Sequence, residues 1–379
     1  MGNKVIILNK RKPKIPVKFF KHYIITHPVC EFADICIISM KTAIKGLFLN
    51  FRYRNWLFYI IFLLLGLTVG FYGNSLIQPQ GSAFLSDDIQ RQRGNFKLVN
   101  PILDCSVNTD VKSSKLGQLK EKTQELIDSL KEQNLTTHIS VYYRDLISRQ
   151  WFGINEKVGF TPASLLKVPV MMVYFKKAET DPSVMQKKLL VTADRSERDQ
   201  MIAPSEVAQK GKSYTVEELI HLMIVRSDNI ATELLLSNIN MTDLSRLYDD
   251  LDIKFAPKTP DLDDLMNVKD YASFFRILYN ASYLTPEISE KALSMLLEND
   301  FDDGLRAGIP QAVPLANKFG EREITGTRQL HDCGIVYNPG RPYIICVMTR
   351  GSDLVQLSGV IKDISSLIYQ EVSSQVKAN

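Results

Sequence analysis

The sequence predicts an α+β fold: an antiparallel sheet packed with helices plus an all-helical subdomain, preceded by one transmembrane helix. Three observations support this. Runs rich in β-branched and aromatic residues stand near both ends of residues 113–375. Between them apolar residues recur at helical spacing, so helices fill the middle and the first and last segments close one sheet. Ahead of both, residues 56–73 form an uncharged, mostly apolar run long enough to cross a bilayer.

Charge sets the outer boundaries. Residues 1–55 hold eleven Lys and Arg against Glu31 and Asp34, a local balance of +9, whereas the whole chain carries +4. Everything after residue 55 is therefore acidic at −5, and the basic character belongs to this arm alone. No charged residue stands between Arg54 and Asp87, and Trp56, Tyr59 and Tyr72 lie near the ends of the apolar run, where aromatic rings favour the headgroup level. The Lys/Arg excess predicts a cytoplasmic N-terminus, a single-pass anchor over 56–73 and an extracytoplasmic remainder. A cleaved signal peptide is disfavoured by the late start of the run and by the lack of a small-x-small cleavage site. The arm reads either as a topogenic tail or as a segment that lies on an anionic inner membrane surface or binds a cytoplasmic partner. No motif in it points to nucleic acid. Residues 74–112 are polar and lack a sustained period, which fits a spacer.

Within residues 113–375 the elements follow from spacing and punctuation. Leu116, Leu119, Leu126, Ile127 and Leu130 recur among Lys and Glu, so Ser114 to Asn134 is an amphipathic surface helix. His138 to Tyr143 and Gln150 to Ile154 read as a strand pair. Pro162 precedes the apolar run Leu165 to Tyr174, a loop turning into a buried helix. Thr215 and Glu218 form a capping box for a helix reaching Arg226, and Ile230 to Leu236 is helical again. Further helices fit Lys269 to Tyr279 and Glu287 to Leu297. Strands fit Asn317 to Glu323, Gly334 to Tyr337 and Tyr343 to Thr349, and a last helix covers Val355 to Glu371.

The cysteines and histidines exclude a zinc framework. Cys-x-x-Cys spacing is absent, and His22, His27, His138, His221 and His331 are scattered. Cys333 and Cys346 read as small apolar strand residues, and the odd count beyond the anchor (with Cys105) leaves at least one free thiol.

Ser164 and Lys167 stand three apart at the start of the buried helix, on one face. A serine hydroxyl is a weak nucleophile until a base takes its proton, and a desolvated lysine can be that base. Alone, the pair fits an N-cap serine and a surface lysine equally well; Ser374 and Lys377 share the spacing. Two later stretches join it: Ser227-Asp228-Asn229 at the corner between two helices, and Lys318-Phe319-Gly320 on an edge-capable strand before a hairpin.

This set, with Lys210 to Leu219 before the second motif and His331 to Tyr343 after the third, resembles the penicillin-recognising serine hydrolases and, within them, the class A β-lactamase domain. The resemblance spans roughly residues 113–375. It implies a Ser164 acyl-enzyme, Lys167 accepting or relaying its proton, and Ser227 passing a proton to the leaving nitrogen. Asn229 would hold the substrate's side-chain carbonyl, and Lys318 would attract its carboxylate and keep Lys167 deprotonated. Gly320 would let the substrate approach the strand, and the oxyanion would bind the backbone N–H groups of Ser164 and Glu321. No cofactor or metal is implied.

Two departures stand out. Phe319 replaces the Thr or Ser whose hydroxyl helps bind the substrate carboxylate in the family. From Leu234 to Pro286 there is no glutamate to hold the deacylating water; only Asp261, Asp263 or Asp264 could substitute. Slow acyl-enzyme hydrolysis follows. The implied function is a membrane-anchored β-lactamase acting on β-lactams, with a role in antibiotic resistance. The alternatives are a D,D-peptidase (a penicillin-binding protein) acting on D-Ala-D-Ala-type wall peptides, and a non-catalytic wall-binding relative.

Overall fold

A computed structural model of the chain describes residues 96–101, 115–194, 196, 200–253 and 266–377. The basic arm, the expected membrane segment and the loop acids Asp261, Asp263 and Asp264 lie outside the described residues. Among the described residues no helix is long and apolar enough to cross a membrane.

The first helix, α1 (Lys115–Glu132), buries the apolar stripe Leu116, Leu119, Ile127 and Leu130. It leads into β1 (His138–Asp145) and β2 (Trp151–Ile154), an antiparallel pair. The chain then passes β3 (Gly159–Phe160), a 3-10 turn over Ala163–Leu166, and α2 (Lys167–Thr180), whose sides are nearly all buried. The middle comprises β4 (Lys188–Leu190), β5 (Ser213–Thr215), α3 (Val216–Val225), α4 (Asn229–Ser237), α5 (Met241–Asp250), β6 (Met266–Asn267), α6 (Val268–Tyr279) and α7 (Pro286–Leu297). Three long strands follow, β7 (Leu315–Ile324), β8 (Thr327–Val336) and β9 (Tyr343–Gly351), then α8 (Leu354–Lys377).

The five-stranded sheet has the order β2-β1-β9-β8-β7, so the first and last strands pair at its centre and β7 forms an edge. Strand alternation divides the apolar residues between two cores. Ile344, Cys346 and Met348 face the helical middle, whereas Tyr343, Ile345 and Val347 face α1 and α8. The sheet is thus covered on both sides, and β7 is the edge left to border the helical middle.

The observed elements extend the expected ones in several places. The capping box of α3 is present, with Thr215 accepting from the Glu218 N–H and Glu218 accepting from the Thr215 N–H. Pro286 opens α7 behind the N-cap Thr285. The second long strand begins at Thr327, not at Gly334, because a two-residue turn at Thr325 and Gly326 (φ 47° and 79°) lets β8 pair with β7 over its whole length. Helix α5 and the short pairs β3–β6 and β4–β5 were not expected. Cys333 and Cys346 lie directly opposite each other on β8 and β9 and form a disulfide, a correction to their reading as merely small apolar residues. Within the stretch expected to be a spacer, residues 97–99 donate three backbone N–H groups to the Glu290 carboxylate on α7, and the Asn100 N–H donates to the Tyr279 carbonyl.

Candidate active site

Ser164 sits in the 3-10 turn immediately before α2 and is half-buried. Ala163 takes a positive φ of 49°, which breaks the approach to the helix and swings the chain into that turn. Three side chains from other elements hold the turn. The Thr161 N–H donates to Gln329 Oε1 at 3.1 Å, His331 Nε2 donates to the Thr161 carbonyl at 3.0 Å, and the Tyr271 hydroxyl donates to the Leu165 carbonyl at 3.0 Å. His331 is fully buried, and desolvation pushes its imidazole down to about 4. It is therefore neutral, and its Nδ1 accepts the Thr349 N–H at 3.3 Å, which leaves the proton on Nε2 for Thr161. Sequence reasoning missed Gln329, His331 and Tyr271. The two strand residues fall on the part of β8 ahead of Gly334, which the sequence reading left out of its strand, and their period-two spacing with Cys333 was the available signal.

One turn on, Lys167 is 2 % exposed, and its amine reaches the second motif: 2.7 Å to the Ser227 carbonyl, 3.0 Å to Ser227 Oγ and 2.8 Å to Asn229 Oδ1. That corner has a local cause. Ser227 adopts φ 56°, ending α3, and Asp228 caps α4 by accepting from the Ile230 and Ala231 N–H groups. Asp228 Oδ2 also accepts the Ala208 N–H at 2.8 Å; burial raises its carboxyl against these bonds. Ser227 and Asn229 thus flank a buried, fully engaged cap and point where Lys167 can meet both.

Lys318 comes from the edge strand. It is fully buried, and its amine lies 3.0 Å from Ser227 Oγ and 3.0 Å from the Phe319 carbonyl. Desolvation lowers it from 10.5 to about 7, while Asp332, Asp300 and Glu321 pull the other way. Asp332, buried beneath β7, accepts from Asn317 Nδ2 at 2.8 Å and the Leu305 N–H at 3.0 Å, and burial raises it to about 6. Two lysines from distant parts of the chain therefore converge on one hydroxyl. Gly320 fixes β7 against the nucleophile turn: a Cβ there would lie 3.0 Å from both the Leu165 N and the Pro162 O. No residue but glycine fits this approach without moving backbone.

The remaining site positions behave differently. The Glu321 carboxylate accepts the Met201 N–H at 2.9 Å and the Ile202 N–H at 3.4 Å, a side-chain role that the sequence reading, which used only its N–H, did not assign. The Phe319 ring stacks on Phe301, centroids 4.1 Å apart, in the core shared with α1 and α8, with Lys318 Nζ 4.0 Å from its centroid. His221 pairs with Glu298 on the helical surface, consistent with a structural role.

A serine on a tight turn, two buried lysines sharing a second serine, and an edge strand pressed against the turn make an α+β domain of the serine β-lactamase-like class. Residues 118–372 match the family model described as the beta-lactamase enzyme family, and the chain belongs to that family. Among solved structures it is similar to a point mutant of PBP-A in an acyl-enzyme complex with penicillin G, at 21 % identity and TM-score 0.57, covering 68 % of this chain and 97 % of that one. A beta-lactamase from Xanthomonas campestris pv. campestris aligns at 20 % identity and TM-score 0.58, covering 67 % and 98 %. One from Chitinophaga pinensis aligns at 16 % identity and TM-score 0.59, covering 67 % and 99 %. No curated protein matches the chain.

Proposed function

We propose that the protein is a membrane-anchored serine acyl-transfer enzyme that opens β-lactams, and chemically similar acyl donors, through a Ser164 acyl-enzyme that is released slowly. The observation that carries this reading is the meeting of Lys167 and Lys318 on Ser227 Oγ, each at 3.0 Å. In its neutral form an amine has two N–H donors and one lone pair. When its two N–H groups donate to the Ser227 carbonyl and Asn229 Oδ1, the lone pair of Lys167 can take an incoming proton.

In the proposed reaction Ser164 Oγ bonds to the acyl carbon while its proton passes to Lys167. The negative charge develops on the acyl oxygen, held by the backbone N–H groups of Ser164 and Glu321. The carbon–nitrogen bond then breaks, and Ser227 hands a proton to the leaving nitrogen, drawing its replacement from Lys167. Asn229 orients the acyl side chain. Water later cleaves the ester. The sequence between Leu234 and Pro286 offers no glutamate to activate that water, which supports slow release. The anchor over 56–73 and an extracytoplasmic site belong to the same proposal, supported by the Lys/Arg excess of residues 1–55. The PBP-A relative, crystallised as a penicillin acyl-enzyme, favours the same chemistry.

The test is covalent labelling by a fluorescent penicillin followed by washout. Wild type is expected to carry one label per chain that persists for many minutes, and Ser164→Ala none. Equal labelling of Ser164→Ala, or no labelling of wild type, overturns the proposal; rapid loss of label overturns the slow-release part alone.

A further inference from the structure

The edge of β7 differs from what an anion-binding wall needs, and the difference names a substrate class. Resting on the Ser164 reading above, three features combine. Lys318, the cation expected to receive a substrate carboxylate, is 0 % exposed, and its amine is already engaged by Ser227 Oγ and the Phe319 carbonyl. The Phe319 side chain offers no donor: its ring stacks on Phe301, with Lys318 Nζ 4.0 Å from its centroid. Two residues on, and so on the same side of the strand, Glu321 presents a carboxylate.

That carboxylate is held in place. Glu321 is 9 % exposed and accepts the N–H groups of Met201 and Ile202 at 2.9 and 3.4 Å. The adjoining Gln200 Nε2 donates to the Ser227 carbonyl at 3.1 Å, the same oxygen that accepts from Lys167. Residues 200–202 therefore run from the Ser227 corner to the β7 edge and hold the Glu321 carboxylate at the strand end. Burial raises the Glu321 carboxyl, opposed by the Met201 and Ile202 N–H bonds and by Lys167, and burial lowers Lys318, opposed by Asp332, Asp300 and Glu321. An anion arriving at this edge would meet an internal anion in its place, in a setting where like charges repel strongly.

We infer that Glu321 is a specificity-determining residue, and that the subsite along β7 takes acyl donors bearing an uncharged ester or amide there and discriminates against a free carboxylate. The experiment compares second-order labelling rates for a fluorescent penicillin and its methyl ester, with wild type and Glu321→Gln. Glutamine keeps an oxygen acceptor for the Met201 N–H and removes only the charge. Wild type is expected to react with the ester at least as fast as with the acid. Glu321→Gln is expected to raise the acid-to-ester rate ratio about tenfold.

A wild-type acid rate about tenfold above the ester rate overturns the inference without recourse to any variant. An acid-to-ester ratio unchanged by Glu321→Gln also overturns it. If neither donor labels either protein, the Ser164 reading itself fails, and this inference falls with it.

Discussion

Replacing Lys318 by methionine separates what this residue contributes to chemistry from what it costs the fold. Burial lowers its amine from 10.5 to about 7, a gap worth roughly 4–5 kcal/mol at about 1.36 kcal/mol per pH unit. In the unfolded chain the amine stays protonated up to pH 10.5; in the folded protein it does so only to about 7. The unfolded state therefore binds more protons between those values, and wild-type stability rises with pH across that window. Below pH 7 both states are protonated and the full burial cost is present. Methionine fills a similar volume without charge but loses the bonds to Ser227 Oγ and the Phe319 carbonyl, about 1 kcal/mol each. Lys318→Met should thus be about 2–3 kcal/mol more stable than wild type at pH 7, and that advantage should vanish by about pH 10. Acylation by penicillin should fall at least about a hundredfold throughout. Urea unfolding followed by circular dichroism at pH 7, 8.5 and 10 measures the difference. Asp332 titrates at about 6, below this window, and does not obscure it. A stability difference that stays constant from pH 7 to 10 would refute the argument, as would a variant less stable than wild type at pH 7.

Two further outcomes follow from the walls of the site. Gly320→Ala places a Cβ 3.0 Å from backbone atoms of Leu165 and Pro162, so the turn must move; acylation should drop at least about tenfold, and a crystal structure should show the Ser164 turn displaced from β7. His331→Ala removes the donor to Thr161 and leaves a cavity, which should cost about 2–4 kcal/mol in urea unfolding and slow acylation. Because the wild-type imidazole is held at about 4 against 6.5 in the unfolded chain, its contribution to stability is present above pH 6.5 and lost as pH falls towards 4. An acid limb of the stability curve that His331→Ala leaves unaltered would contradict this.

Most of the frame was legible because each element carried its own punctuation. Thr215 and Glu218 announced α3, and the run Asn317 to Glu323 ahead of a hairpin turn placed β7. The placement of Ser164, Lys167, Ser227 and Lys318 on a helix start, a corner between helices and an edge strand was legible from their order along the chain. What the sequence did not reveal depends on tertiary register. The start of β8 was hidden because Thr327 to Cys333 mixes polar and apolar residues whose partners lie on β7 and β9. With that strand went Gln329 and His331. The clamp on Tyr271 required knowing that α6 passes beneath the Ser164 turn. Helix α5 was overlooked although Leu244, Leu247, Tyr248 and Leu251 recur at helical spacing behind the N-cap Asn240. The stacking of Phe319 on Phe301, and the hold of Glu321 on residues 201 and 202, depend on segments far from β7 in sequence.

Under the proposed anchor over 56–73, the docking of residues 97–99 on Glu290 has a mechanical meaning. Tension entering at residue 96 is met first by three parallel backbone bonds to a single carboxylate, then by the Asn100 bond to Tyr279 at the end of α6. Tyr271, which steadies Leu165, lies two turns further back along the same helix. A pull strong enough to peel this segment away would therefore break the Glu290 fastening before it strained the turn that carries the nucleophile.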